Sequence, residues 1–184
     1  DTQVIMLTGV SDVKLAVAGY GGADKPQAGT GQLAQTGSMT TVGIACLALA
    51  FAELEDAARN GDVTAREASK RLGRERDRAI DDGFAWLAHR FTVSENPNYG
   101  TWHYYYLYGL ERAGILTKRP NVGANDWYRA GADLLVKQQH GNLWDDRNGD
   151  GVVCSTAFAL LFLLRATVPL TKSTGFLPAL IEGA

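Results

Sequence analysis

Two stretches of this chain are apolar around almost the whole circumference of a helix: Trp102–Gly114, WHYYYLYGLERAG, and Val153–Thr167, VCSTAFALLFLLRAT. A helix that is greasy on all sides must be enclosed by other elements. Each of the two follows a charged, amphipathic helix and a turn-rich connection. The pairing predicts helical hairpins in layers, with the apolar helices inside and the charged ones outside. An all-α fold follows. With 184 residues, there is enough chain for one domain with a sizeable core, and we read 1–184 as a single repeat domain.

Taken in order, the helical period predicts a helix over 1–18, carried by Val4, Leu7, Val10 and Leu15. Residues 19–37 hold six glycines and Pro26, and read as a loop. A strong helix is expected over 38–58, capped by Thr36 or Ser38 and apolar or small at nearly every position from Val42 to Phe51. Thr64 and Glu67 have capping-box spacing and mark the next start. A charged piece over 64–72 is expected to break at Gly73. A second piece, 74–91, carries the stripe Ile80, Gly83, Phe84, Leu87 and Phe91. Thr101 is placed to cap a helix over 101–116. Asn125 or Asp126 is placed to cap one over 126–139, whose stripe is Trp127, Ala130, Gly131, Leu134 and Leu135. Arg129, Asp133 and Lys137, four residues apart, mark its outer face. The last helix, 153–167, stops before Pro169.

Composition narrows the partners. The formal net charge is −2, and acidic and basic residues are interspersed, so no nucleic-acid face is indicated. The longest greasy run, Val152–Leu164, is too short to span a bilayer, and no membrane span is predicted. No charged segment followed by an apolar run and a cleavage site is visible near Asp1. Cys46 and Cys154 each sit in an apolar helical run and are expected to be buried free thiols.

The two hairpins superpose. Gly83 falls on Gly131 and Leu87 on Leu135 at an offset of 48, and Arg112-Ala113 falls on Arg165-Ala166 at an offset of 53. A repeat of about 50 residues built from two helices fits stacked helical hairpins. At TGSMTTVGIACLALA, AIDDGFAWLAHRF, NPNYGTWHYYYLYGLERAG, DWYRAGADLLVKQQ and STAFALLFLLRAT the chain resembles the squalene/terpene cyclase and protein prenyltransferase superfamily. The nearest likeness within it is to bacterial prenyltransferase/squalene-oxidase repeat proteins. The likeness covers roughly residues 36–167. It implies an α/α toroid, in which inner helices ring a cavity and outer helices wrap them. Gln138, Gly141 and Trp144 loosely match the Gln…Gly…Trp motif of the cyclases, with one extra residue before the Trp. A full toroid has about twelve helices and this chain about six, so the resemblance implies a partial ring. A half-ring leaves apolar helix sides uncovered, which implies a homo-oligomer or a missing partner domain.

The chemistry of the superfamily is only partly represented. Its cyclases protonate substrate with Asp-x-Asp-Asp, but before Asp145-Asp146 this chain has Leu143 where the first Asp should stand. Its protein prenyltransferases hold zinc with Asp, Cys and His. Asp150, Cys154 and His140 are the right residue types at the wrong spacing. Asp146, Asn148, Asp150 and Gly151 spell D-x-N-x-D-G, the first half of a calcium loop. Position twelve is Ala157 rather than Glu, so any calcium there would be weakly held, and the same residues also suit a turn that caps the next helix. Ser155 and Thr156 open an apolar helix with no base placed beside them and read as capping residues.

Trp102, His103, Tyr105 and Tyr106 belong to the densest aromatic group, which also holds Tyr104 and Tyr108. In the superfamily, such aromatic faces line the cavity and stabilise cations. The competing reading is plain core packing, because consecutive helical residues point all round. The expected function is a non-catalytic repeat domain that binds an apolar, isoprenoid-like ligand or a protein partner. Two alternatives stand beside it: an isoprenoid enzyme with catalytic residues outside this chain, and a structural module of a larger protein.

Overall fold

The computed structural model describes residues 35–145 and 151–167. Five helices make up nearly all of it: α1 (Gly37–Arg59), α2 (Val63–His89), α3 (His103–Leu116), α4 (Trp127–Gln138) and α5 (Gly151–Leu164). Among the described residues, a two-stranded antiparallel hairpin lies between α3 and α4, Asn121–Val122 paired with Asn125–Asp126. The helix expected over 1–18 lies outside the described residues.

The helix starts follow local capping chemistry. The Thr36 hydroxyl accepts from Met39 N at 3.2 Å, Asp62 from Ala65 N at 3.0 Å, and Asp126 from Arg129 N at 2.9 Å. Each satisfies a backbone donor that the first turn leaves orphaned. Asp62, not Thr64, opens α2, so the expected capping box lies two residues too late. Gly73 does not break α2 either, and the helix runs through it. A Cβ at Gly73 would touch nothing, so this glycine costs helix propensity but creates no clash or kink.

α1, α3 and α5 form a row with α3 in the middle, packed on both of the others. α2 packs along α1, and α4 lies against α3 and α5. The helical period divides α1 between its neighbours. Phe51 turns to α2, where the Arg76 guanidinium sits 4.8 Å from its ring centre, and Arg76 also pairs with Glu55 at 2.9 Å. Thr41 turns to α3, where it fills the space that a side chain on Gly109 would occupy. Ala45 and Ala48 cluster with Leu116 of α3. α1 is the one described helix long and apolar enough to cross a membrane, but 56% of that apolar window is buried against its neighbours. Two packed faces account for this composition, which the Val152–Leu164 run alone did not reveal.

The charged face expected for α4 is exposed. Arg129, Asp133 and Lys137 are all exposed, while Trp127, Gly131 and Leu135 point inward. Gly131 allows close approach: a Cβ there would run into the Phe162 ring of α5. α3 is enclosed as expected, with nine of its residues buried. α5 differs from expectation. Only Ser155, Ala159 and Phe162 are buried, although the helix is apolar all round. The reason is its place at the end of the row, covered by α3 and α4 but by no further helix among the described residues. Position also corrects the cysteines. Cys46 and Cys154 are exposed rather than buried, because each lies on a helix face that no described neighbour covers.

Candidate aromatic binding face

α3 begins unusually. Its N-cap, Trp102, adopts the left-handed conformation at φ 62, ψ 40 and makes no side-chain cap. Thr101 therefore does not cap the helix, contrary to the sequence expectation. A bulky residue held in this region costs on the order of 1–3 kcal/mol, which the surroundings must supply. Here the Trp102 carbonyl still accepts from Tyr106 N at 3.0 Å, and the residue is left 47% exposed.

From Trp102 an aromatic strip runs along α3 and across to α5. The Trp102 and Tyr105 rings meet edge to face, with centroids 6.3 Å apart. Tyr105 meets Phe158 of α5 at 5.6 Å, and Tyr108 stacks on the same Phe158 at 5.2 Å with 22° between the planes. Arg112 closes the strip. Its Nη1 donates to the Tyr108 hydroxyl at 2.9 Å, with the guanidinium 5.5 Å from that ring centre. Tyr105, Tyr108 and Phe158 are each half-buried, so one side of the strip faces outward. Trp102, Tyr105, Tyr108 and Arg112 share this side because residues three and four apart line one helix face.

The four residues singled out from sequence thus divide. Trp102 and Tyr105 belong to the open strip. Tyr106 points the other way and is fully buried, its hydroxyl donating to the Thr92 carbonyl at 3.0 Å. Burial pushes its phenol above the usual tyrosine range. Gly109 faces Thr41 of α1. His103 Nε2 lies 2.7 Å from the Val93 carbonyl, and the ring borders a separate polar cleft of about 250 Å³ with Tyr104, Gln138, His140 and Asp145. Tyr108 and Phe158 were missed as site residues. The signal for Tyr108 was its spacing of three from Tyr105; Phe158 needed the α3–α5 contact.

The calcium-loop residues Asp146, Asn148 and Asp150 lie outside the described residues, as does the Asp150 of the zinc reading. Among the described residues, no three His, Cys, Asp or Glu side chains are grouped to hold a metal ion. His140 pairs through its backbone with Leu143 at 3.0 and 3.1 Å. Thr156 does not cap its own helix. Its hydroxyl accepts from Trp144 N at 3.1 Å and donates to Trp144 O at 3.2 Å, tying the preceding loop to α5.

Behind the strip lies a carboxylate that the sequence did not single out. Glu111 is fully buried, and accepts from Thr167 N at 3.1 Å and from the Thr167 hydroxyl at 2.5 Å. Desolvation raises its pKa, against the lowering effect of the Thr167 bonds and of Arg112 and Arg165. Because its folded pKa lies above the unfolded value, the stability it contributes is complete below the unfolded pKa and is lost as pH rises through the folded one. The melting temperature of the wild type, relative to Glu111→Gln, therefore rises as pH falls from neutral towards 4.5, the ordinary glutamate value. Parallel thermal melts of the two proteins across that range check this; a constant difference would contradict it.

No family model matches the chain, and neither a curated protein nor a solved structure matches it at a significant level.

Proposed function

We propose that this chain is a partial α/α toroid, with α1, α3 and α5 as inner helices and α2 and α4 as outer ones. Its open aromatic face binds an apolar, isoprenoid-like ligand without converting it. The observation that carries this reading is the strip Trp102–Tyr105–Phe158–Tyr108, which spans two helices and keeps one side outward. Three supports stand behind it. A strained residue at φ 62 holds the indole out of the core, where ordinary helix geometry would not require it. Flat rings bind an apolar chain by area burial at about 25 cal/mol per Å². And Leu143, in place of the first aspartate of the acid motif, favours binding over protonation chemistry.

The probes are an isoprenoid alcohol and the corresponding amine. The alcohol reports area burial alone; the amine adds attraction to the ring faces. At a ligand concentration a hundredfold above Kd, binding stabilises the fold by about 2.7 kcal/mol, which thermal unfolding detects easily. Tyr105→Leu keeps most of the apolar volume and removes the ring. We expect it to weaken binding roughly tenfold, about 1.4 kcal/mol, while its melting temperature without ligand stays near wild type. A wild-type melting temperature unmoved by either probe would leave the strip as packing alone.

A further inference from the structure

We propose that a cleft at the C-terminal end of α3 binds a small organic anion, an oxyanion headgroup (a carboxylate or a phosphate ester) carried on an apolar body. The cleft has a volume of about 400 Å³, within the range of small-molecule sites. It lies at the far end of α3 from Trp102 and is separate from the aromatic strip. Ile115, Pro120 and Trp127 give it an apolar surface, and Lys118, Arg119 and Arg165 give it charge. Among the described residues no carboxylate lines it. Cations beside an apolar surface fit a ligand with one anionic end and one apolar end, since charge-assisted hydrogen bonds hold the first and area burial the second.

Two of the three cations stand in a strained conformation. α3 and α5 end in the same motif, in which one residue turns left-handed and the chain hydrogen-bonds back on the last turn. At α3, Lys118 N donates to Ile115 O at 3.1 Å and Arg119 N to Gly114 O at 2.8 Å. At α5, Arg165 N donates to Phe162 O at 3.0 Å and Ala166 N to Leu161 O at 3.1 Å. Glycine is the usual left-handed residue in such endings. Here the position holds Lys118 at φ 58 and Arg165 at φ 49. A cation at a helix C-terminus complements the helix dipole, and that would account for either residue singly. It does not account for both endings opening on one cleft, or for how the side chains are held. The Arg165 guanidinium lies 4.8 Å from the Tyr128 ring centre and 5.9 Å from that of Trp127. Ring faces fix a guanidinium without occupying its hydrogen-bond donors. Arg119 lies over Phe84 at 4.6 Å and is paired with Asp81. Lys118 and Arg165 are exposed, and among the described residues neither forms an ion pair. Glu111 feels the charge of Arg165, but it is buried and hydrogen-bonded to Thr167. Lys118 and Arg165 thus present their charge to the cleft.

Isothermal titration calorimetry of the full 184-residue chain tests this. The probes are naphthoate and naphthyl phosphate as the anions, naphthol as the neutral body and inorganic phosphate as the bare headgroup. We expect both naphthyl anions to bind at least roughly tenfold more tightly than naphthol or inorganic phosphate. The tighter of the two anions identifies the headgroup. Lys118→Gly should weaken their binding by about tenfold. It should melt no lower than wild type, because glycine adopts φ 58 without strain. Arg165→Gln should weaken the same anions and leave the response to naphthol unchanged. Naphthol bound as tightly as naphthoate would show a merely apolar cleft and overturn the proposal. So would a wild-type chain that binds neither naphthyl anion, or full anion affinity in both variants.

Discussion

Trp127→Ala is expected to lower the unfolding free energy by about 4 kcal/mol, the range for removing a buried tryptophan. Among the described residues Trp127 is the largest fully buried side chain, and three elements depend on it. Its ring occupies the space opposite Gly114 of α3, where a Cβ would lie 2.5 Å from the indole. It meets Phe162 of α5 edge to face at 5.9 Å, and its Nε1 donates to the Arg119 carbonyl at 2.8 Å. The Arg165 guanidinium lies 5.9 Å from its ring centre, with Tyr128 nearer still at 4.8 Å. Truncation opens a cavity, strands a carbonyl and detaches α4 from α3 and α5 at once. For a chain of this length, 4 kcal/mol corresponds to a fall in melting temperature on the order of 10 °C. Circular dichroism melts measure it; a fall of only one or two degrees would mean that α4 is not held through this residue.

Asn96→Ala is the second large effect, about 3 kcal/mol, for a different reason. Asn96 is fully buried, and its side chain makes three hydrogen bonds. Oδ1 accepts from Ser38 N at 2.9 Å, while Nδ2 donates to the Ser38 hydroxyl and to the Thr101 carbonyl, both at 3.0 Å. The residue thus joins the first turn of α1 to the approach to α3. Alanine leaves those partners buried without it, and each such group costs about 1–3 kcal/mol. Asn96→Asp is not a rescue, because a carboxylate can accept from Ser38 N but cannot donate to Thr101 O. Urea unfolding of both variants checks the account. A substitution by Ala that proved neutral would show that water replaces the side chain without loss. Because Thr101 directly precedes the strained Trp102, Asn96 also sets where the aromatic strip begins.

Much of this fold was legible because it is locally encoded. Thr36 and Asp126 cap the helices that their spacing announces, and the stripes Ile80–Phe84–Leu87 and Trp127–Gly131–Leu135 face inward as the period requires. What failed locally was fine: Asp62 starts a helix two residues before the expected box, and Gly73 passes unbroken because its propensity cost is small beside a 27-residue helix. The site was only half legible. Residues three and four along from Trp102 both lie near its face, so sequence alone could not separate Tyr105 from Tyr106. The neighbour α1 decides, taking Tyr106 and Gly109 to the inside. Phe158, Glu111 and Asn96 needed contacts between residues 50 to 58 apart or more locally unpatterned pairs, such as Glu111 with Thr167 and Asn96 with Ser38. A buried polar residue carries no sign of its partner in its own segment. The exposed cysteines were illegible for the same kind of reason: an apolar run does not tell whether a neighbour covers each side.

The aromatic face is tested most directly by photo-crosslinking. An isoprenoid carrying a diazirine at its apolar end is irradiated with the wild-type chain, and the modified residues are mapped by peptide mass spectrometry. The binding-face account predicts adducts on Trp102, Tyr105, Tyr108 and Phe158, displaced by excess unlabelled isoprenoid and lost in Tyr105→Leu. Adducts spread over the exposed edge of α5 at Val153 and Leu164 instead, or labelling no greater than with a polar diazirine, would contradict it.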